Sequence, residues 1–229
     1  IHPTPNVSFS GLSPTYCVDE APVTLTGSPA GGTFSGPGIS GNTFSPGIAG
    51  AGTHSITYDY TDANGCSTSE TQTVTVNVLP VVSFSGLNSD YCVDALSANL
   101  TGSPTGGTFS GAGISGNTFS PANAGVGGPY VITYNYTDGN GCANSSSQTV
   151  DVNPLPVVSF SGLASDYCID ATAATLTGSP AGGTFSGTGI SGNTFDPGAA
   201  TVGGPYSITY DYTDANGCAN STTQVTNVN

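Results

Sequence analysis

Gly32-Thr33-Phe34-Ser35-Gly36-Pro37-Gly38-Ile39-Ser40-Gly41-Asn42-Thr43-Phe44 is a word that the chain writes three times, again at Gly107–Phe119 and Gly183–Phe195 with only its sixth residue changed. Ahead of each copy stands Leu-Thr-Gly-Ser-Pro, at Leu25–Pro29, Leu100–Pro104 and Leu176–Pro180. Behind each stands Ile-Thr-Tyr-x-Tyr-Thr-Asp-x-Asn-Gly-Cys, starting at Ile56, Ile132 and Ile208. Phe9, Phe84 and Phe160 mark the period, 75 and then 76 residues apart. Self-similarity at a fixed period means a repeat architecture. The copies divide at Val78-Leu79-Pro80 and Pro154-Leu155-Pro156, giving domains over residues 1–78, 79–154 and 155–229. Short joints containing proline are stiff. The chain begins at Ile1 rather than Met and closes at Asn229, in phase with Asn153. It therefore reads as an excised or mature segment with further copies beyond it.

Within a copy the apolar residues alternate. Val7 and Phe9, Val23 and Leu25, then His54, Ile56, Tyr58 and Tyr60, and finally Val74, Val76 and Val78 alternate with polar neighbours. Period 2 marks half-buried strands, and no segment carries a helical stripe. Gly-Ser-Pro, Gly-Pro-Gly-Ile-Ser-Gly-Asn and Asp-Ala-Asn-Gly between them are turn chemistry. Six or seven short strands per copy predict an all-β chain of three tandem immunoglobulin-like β-sandwiches. Outward Ser and Thr suit strands with one face in water.

The charge balance narrows the function. The 229 residues include no Lys or Arg and 14 acids, for a formal charge of −14, yet only 6% are charged. Nucleic-acid binding depends on basic residues at phosphates and is excluded, and their absence also argues against docking on anionic lipid. No stretch approaches the roughly 20 apolar residues of a membrane helix, and no basic n-region opens the chain. The 34 Gly and 16 Pro fall at fixed places, which speaks for turns rather than low complexity.

Each copy has two cysteines: Cys17 and Cys66, Cys92 and Cys142, Cys168 and Cys218. Pairing within each copy is the simplest connectivity, and an up-and-down strand order brings both cysteines to one end of the sandwich. Zinc is disfavoured, since it takes four closely spaced ligands. An intradomain disulfide closing a loop of about 50 residues stabilises a small domain by roughly 4 kcal/mol in the chain-entropy model. It also places the chain outside the reducing cytosol.

If those bridges form, they gather acids. Asp19, Asp94 and Asp170 follow the first cysteine; Asp62, Asp138 and Asp214, with Asn64, Asn140 and Asn216, precede the second. Two readings stand. Hard oxygen ligands in a loop are what Ca²⁺ requires, and an ion would relieve the repulsion. Equally, Asp and Asn cap their own turns, and Asn-Gly is a turn former. No cofactor is required, and calcium is the one candidate. Catalysis is poorly supplied: the acids recur in tight turns in every copy, and neither His2 nor His54 recurs. His54 aligns with Tyr130 and Tyr206 and reads as a packing residue. Tyr16, Tyr91 and Tyr167 either pack inward or offer rings for stacking on sugar. Sequons stand at Asn6, Asn99, Asn135, Asn144 and Asn220.

Taken together, Tyr-Cys-Val-Asp at 16–19, the Leu-Thr-Gly-Ser-Pro and Gly-Thr-Phe-Ser-Gly words, the Asn-Gly-Cys hairpin and the Leu-Pro joint resemble tandem repeats of large Bacteroidetes cell-surface adhesins. These include gliding-motility adhesins, and the repeats are classed as immunoglobulin-like or PKD-like. The resemblance covers all three copies. It implies type IX secretion and display on the outer surface, in parts of the protein outside this chain. The expected function is a structural segment of an extracellular adhesin, filament or stalk that adds length and stiffness. A carbohydrate-binding array and the accessory domains of a secreted enzyme are the alternatives. Expected partners are neighbouring copies or further repeats in a filament, with surface polysaccharide as a candidate. Exposed strand edges without Lys gatekeepers fit such association.

Overall fold

The computed structural model describes residues 3–229, so His2 lies outside the described residues. The chain is all-β, in three repeated sandwich units. Its contacts divide it into two compact units. Of the described residues, one holds 3–85, Thr101–Phe109 and Thr133–Ser147; the other holds Gly86–Leu100, Ser110–Ile132 and Gln148–Asn229.

The first copy shows the plan. Its strands are β1 (Ser8–Ser10), β2 (Thr15–Cys17), β3 (Val23–Thr24), β4 (Thr26–Ser28), β5 (Thr33–Ser35), β6 (Ile39–Ser40), β7 (Thr43–Phe44), β8 (Gly52–Thr61) and β9 (Ser67–Asn77). A single helical turn, α1 (Pro46–Ala49), precedes β8. One layer is the sheet β2-β9-β8-β5, and the other comprises β1-β4 and β3-β7-β6. The long β8–β9 hairpin is the spine, registered from Gly52 opposite Val76 to Thr61 opposite Ser67. The same division into sheets recurs in copies two and three.

Alternation along the spine sends Ile56, Tyr58, Val74 and Val76 inward, where Phe9, Phe44 and Tyr16 from other strands and Leu25 from the break between β3 and β4 meet them. Each of these eight is at most 6% exposed. The outward Thr and Ser are bonded across the hairpin, Thr57 to Thr71 at 2.9 Å and Thr61 to Ser67 at 2.9 Å, the cross-strand pairing that supports a water-facing sheet. Thr209 and Thr223 repeat the first contact in copy three at 2.9 Å.

Tyr58 explains two of the recurring words. Its ring lies 4.6 Å from that of Phe34. Its hydroxyl accepts from the Gly32 N–H at 2.8 Å and donates to the Pro29 carbonyl at 2.6 Å. A Cβ on Gly27 or Gly32 would strike that ring. Leu-Thr-Gly-Ser-Pro and the Gly-Gly after it therefore form a glycine slot for one buried tyrosine. Tyr134 and Tyr210 fill the same slot, with Gly107 and Pro104, and with Gly183 and Pro180, as partners.

Two strands depart from the alternation. β2 is too short to show a period, and it pairs in parallel with the end of β9: Thr15 with Thr75, Tyr16 with Val76, Cys17 with Asn77. The run Val23–Ser28 breaks at Leu25, whose N–H donates to the Asn42 carbonyl at 2.7 Å while β3 and β4 go to different sheets.

Candidate functional site

The sheet topology overturns the intradomain disulfide. Cys17 ends β2 beside Asn77, the last residue of β9, whereas Cys66 stands before Ser67, the first. The length of β9 separates them, about 35 Å at roughly 3.3 Å per residue. A disulfide needs its Cα atoms within about 7 Å. Cys17 and Cys66 therefore sit at opposite ends of one sheet. Cys92, in its parallel register with Asn153, is likewise at the opposite end from Cys142, which stands just before Ala143–Asn153. In copy three, Tyr167, next to Cys168, pairs with Val228 at the far end of the strand that follows Cys218.

The bonds that form run between consecutive copies. Cys17 joins Cys142 and Cys92 joins Cys218, each with Cα atoms 5.5 Å apart. Each bond lies inside one compact unit. Cys66 and Cys168 keep free thiols.

The junctions follow from local chemistry. On the donor side the chain turns after the first cysteine. The Val18 N–H bonds the Asn77 carbonyl at 2.9 Å, the Glu20 N–H bonds the Cys17 carbonyl at 3.1 Å, and the Glu20 carboxylate accepts from the Cys17 N–H at 2.8 Å. That fixes Cys17 beside the start of the Val78-Leu79-Pro80 joint. On the receiving side, the Asn144 amide donates to the Pro80 carbonyl at 2.9 Å, two residues after Cys142. Asn220 does the same to Pro156 at 2.9 Å, two residues after Cys218. The disulfide thus runs alongside the peptide joint. Cys142 and Cys218 are wholly buried there.

The acids divide as the cysteines do. Asp62 caps the β8–β9 turn, its Oδ1 accepting from the N–H of Asn64 at 2.9 Å and of Cys66 at 2.8 Å. Asp138 and Asp214 repeat this with Asn140 and Cys142, and with Asn216 and Cys218. The backbone N–H of Cys142, with lesser help from Asn140 and Gly141, holds the Asp138 carboxyl below the ordinary aspartate value. Asp19, Asp94 and Asp170 lie exposed at the other end of their sheets. Asp19 therefore does not join Asp62 and Asn64, nor Asp94 join Asp138 and Asn140, nor Asp170 join Asp214 and Asn216. Among the described residues, no three His, Cys, Asp or Glu side chains gather as a metal site. Asp94 instead lines a shallow depression with Asp211, Tyr212 and Asn220.

Tyr16, Tyr91 and Tyr167 pack inward, with ring centroids 5.5, 5.3 and 5.2 Å from Phe44, Phe119 and Phe195. Their hydroxyls accept from the N–H groups of Ser13, Asn88 and Ala164. His54 bonds the Gly50 carbonyl through Nε2 at 2.8 Å, where Tyr130 and Tyr206 reach Gly125 and Thr201. The sequons at Asn144 and Asn220 hold amides already engaged at the joints. These two asparagines are the functional residues that sequence reasoning missed. Their recurrence after the second cysteine, in Cys-Ala-Asn, was the available signal.

No family model and no curated protein matches the chain. Among solved structures, it is similar to a Ca²⁺-stabilised adhesin that helps an Antarctic bacterium reach out and bind ice, at 13% identity and a TM-score of 0.38, covering 99% of this chain and 74% of that one. A 1.5-MDa bacterial ice-binding adhesin is similar at 12% identity and a TM-score of 0.33, covering 97% and 96%. Sidekick-1 immunoglobulin domains 1–5 are similar at 10% identity and a TM-score of 0.32, covering 99% and 60%.

Proposed function

We propose that this chain is a structural segment of an extracellular repeat adhesin, surface filament or stalk, in which domains 1–78, 79–154 and 155–229 add length and stiffness for attachment. One observation carries the reading: each joint between copies is crossed twice, once by the peptide and once by a disulfide. Covalent reinforcement at every joint has little use in a catalytic or ligand-binding domain and direct use in a part under tension. Disulfides also persist outside the reducing cytosol. Asp62, Asp138 and Asp214 serve as turn caps and the tyrosines before the first cysteines are packed, so the reading is of a part that performs no catalysis. The large Bacteroidetes surface adhesins that the repeats resemble, exported by type IX secretion, are the parent class this reading favours.

Pulling a single molecule by its ends tests it. In the oxidised chain the shortest covalent path enters at Cys17, crosses to Cys142, returns to Cys92, crosses to Cys218 and leaves. Full extension then reaches about 270 Å, against about 800 Å after reduction, at roughly 3.5 Å per residue. Equal extension before and after reduction would remove the basis for a tension-bearing role.

A further inference from the structure

The two unbonded cysteines are the two complementary halves of the staple used at both joints. Cys66 occupies the hairpin place that Cys142 and Cys218 fill in later copies, and Cys168 occupies the turn place of Cys17 and Cys92. Both places are already built. The Asp62 N–H donates to the Cys66 carbonyl at 3.0 Å, as Asp138 does to Cys142 at 2.9 Å and Asp214 to Cys218 at 3.0 Å. The Ile169 N–H bonds the Asn229 carbonyl at 2.9 Å and the Ala171 N–H bonds the Cys168 carbonyl at 3.0 Å. In copy two, Val93 and Ala95 make the same pair of contacts with Asn153 and Cys92, both at 2.9 Å. What differs is cover. Cys142 and Cys218 are wholly buried against the bonded neighbour, whereas Cys66 is half-exposed and Cys168 exposed.

We propose that Cys168 of one copy of this chain and Cys66 of a second copy form the same staple, so that chains join head to tail as a covalent polymer. The proposal rests on the structural reading above and names its partner as a second copy. The chemistry is thiol–disulfide exchange with a low-molecular-weight disulfide as oxidant. The thiolate of one cysteine attacks that disulfide and releases one small thiol, leaving a mixed disulfide. The thiolate of the other then displaces the second small thiol. Two cysteines are oxidised, one oxidant disulfide is reduced to two thiols, and the protons of the two cysteines end on those thiols. Copy one has Thr68 where Asn144 and Asn220 hold the proline carbonyls of their joints. Pro5 stands in copy one where Pro80 and Pro156 stand later, so only the asparagine that holds the proline is replaced, and neither cysteine of the staple is changed.

Mixing two variants tests the pairing. Cys66→Ser retains only the Cys168 thiol, and Cys168→Ser retains only the Cys66 thiol; both leave the two internal staples in place. In a glutathione redox buffer, each variant alone is expected to stay monomeric on a non-reducing gel. The mixture should give a dimer whose digest contains a peptide linking residues 66 and 168, and the unmutated chain should give a ladder. Unchanged melting and mapped internal disulfides confirm that both variants fold. Like-with-like dimers in either single variant, or a mixture that remains monomeric, would overturn the proposal. The pulling measurement on a single chain uses neither thiol, so the two readings can fail separately.

Discussion

Cys17 lies opposite Asn77 in the parallel register of β2 with β9, and so stands a full strand away from Cys66 in its own repeat. That relation turns a disulfide inside a domain into one between domains. Digestion of the oxidised chain without reductant should yield linked peptides containing Cys17 with Cys142 and Cys92 with Cys218. A Cys17–Cys66 peptide in folded material would contradict the topology.

Each staple closes a span of 125 or 126 residues. In the chain-entropy model that is about 5 kcal/mol of stabilisation per bond. Replacing Cys17 and Cys142 together by Ser should therefore lower the denaturant midpoint substantially. Replacing the unbonded Cys66 should leave it nearly unchanged, as followed by tyrosine fluorescence.

Tyr134 donates to Pro104 and accepts from Gly107, so Tyr134→Phe leaves a carbonyl and an N–H without their partner. The expected cost is about 1–3 kcal/mol. Gly102→Ala places a methyl into the same ring and should cost a similar amount through overpacking. Thermal melts of the two variants and of the double variant measure both effects. The double variant should be less than additive if the slot acts as one contact.

Asp138 is held below the ordinary aspartate value by backbone donors, chiefly the Cys142 N–H. A depressed folded-state value means that the ionised carboxylate stabilises the hairpin. Its contribution is complete above about pH 4, the unfolded aspartate value, and is lost as pH falls through the lower folded value. The melting difference between the natural chain and Asp138→Asn should be constant near neutrality and shrink in acid. A carboxyl of Asp138 titrating above pH 4 by carbon NMR would contradict the assignment.

Because Asp19 and Asp62 are parted and the Asp62 type acids cap turns, removing divalent ions should leave the melting temperature unchanged. A clear fall with chelator, reversed by Ca²⁺, would restore these acids as ligands.

The repeat, the long hairpin and most of the inward residues were legible because alternation over several residues is a strong local signal. Ile56, Tyr58, Val74 and Val76 all point as their period requires. Thr15–Cys17 carried no such signal: its three residues put Tyr16 and Cys17, adjacent in sequence, both out of solvent. Its partner strand lies some sixty residues on, and parallel pairing leaves no turn to announce it. The cysteine connectivity depended on that one strand, and the expected grouping of Asp19 with Asp62 depended on the connectivity. The glycines of Leu-Thr-Gly-Ser-Pro were visible, but the tyrosine that needs them lies about thirty residues away.

The two staples overlap, since Cys92 lies inside the span closed by Cys17 and Cys142, and Cys142 lies inside the span closed by Cys92 and Cys218. Cut the backbone at any one bond between Cys17 and Cys218, and at least one disulfide still bridges the two fragments. Between Cys92 and Cys142 both do. A material built this way tolerates a protease nick as a laid rope tolerates one frayed yarn: the break is real, yet the two ends do not part.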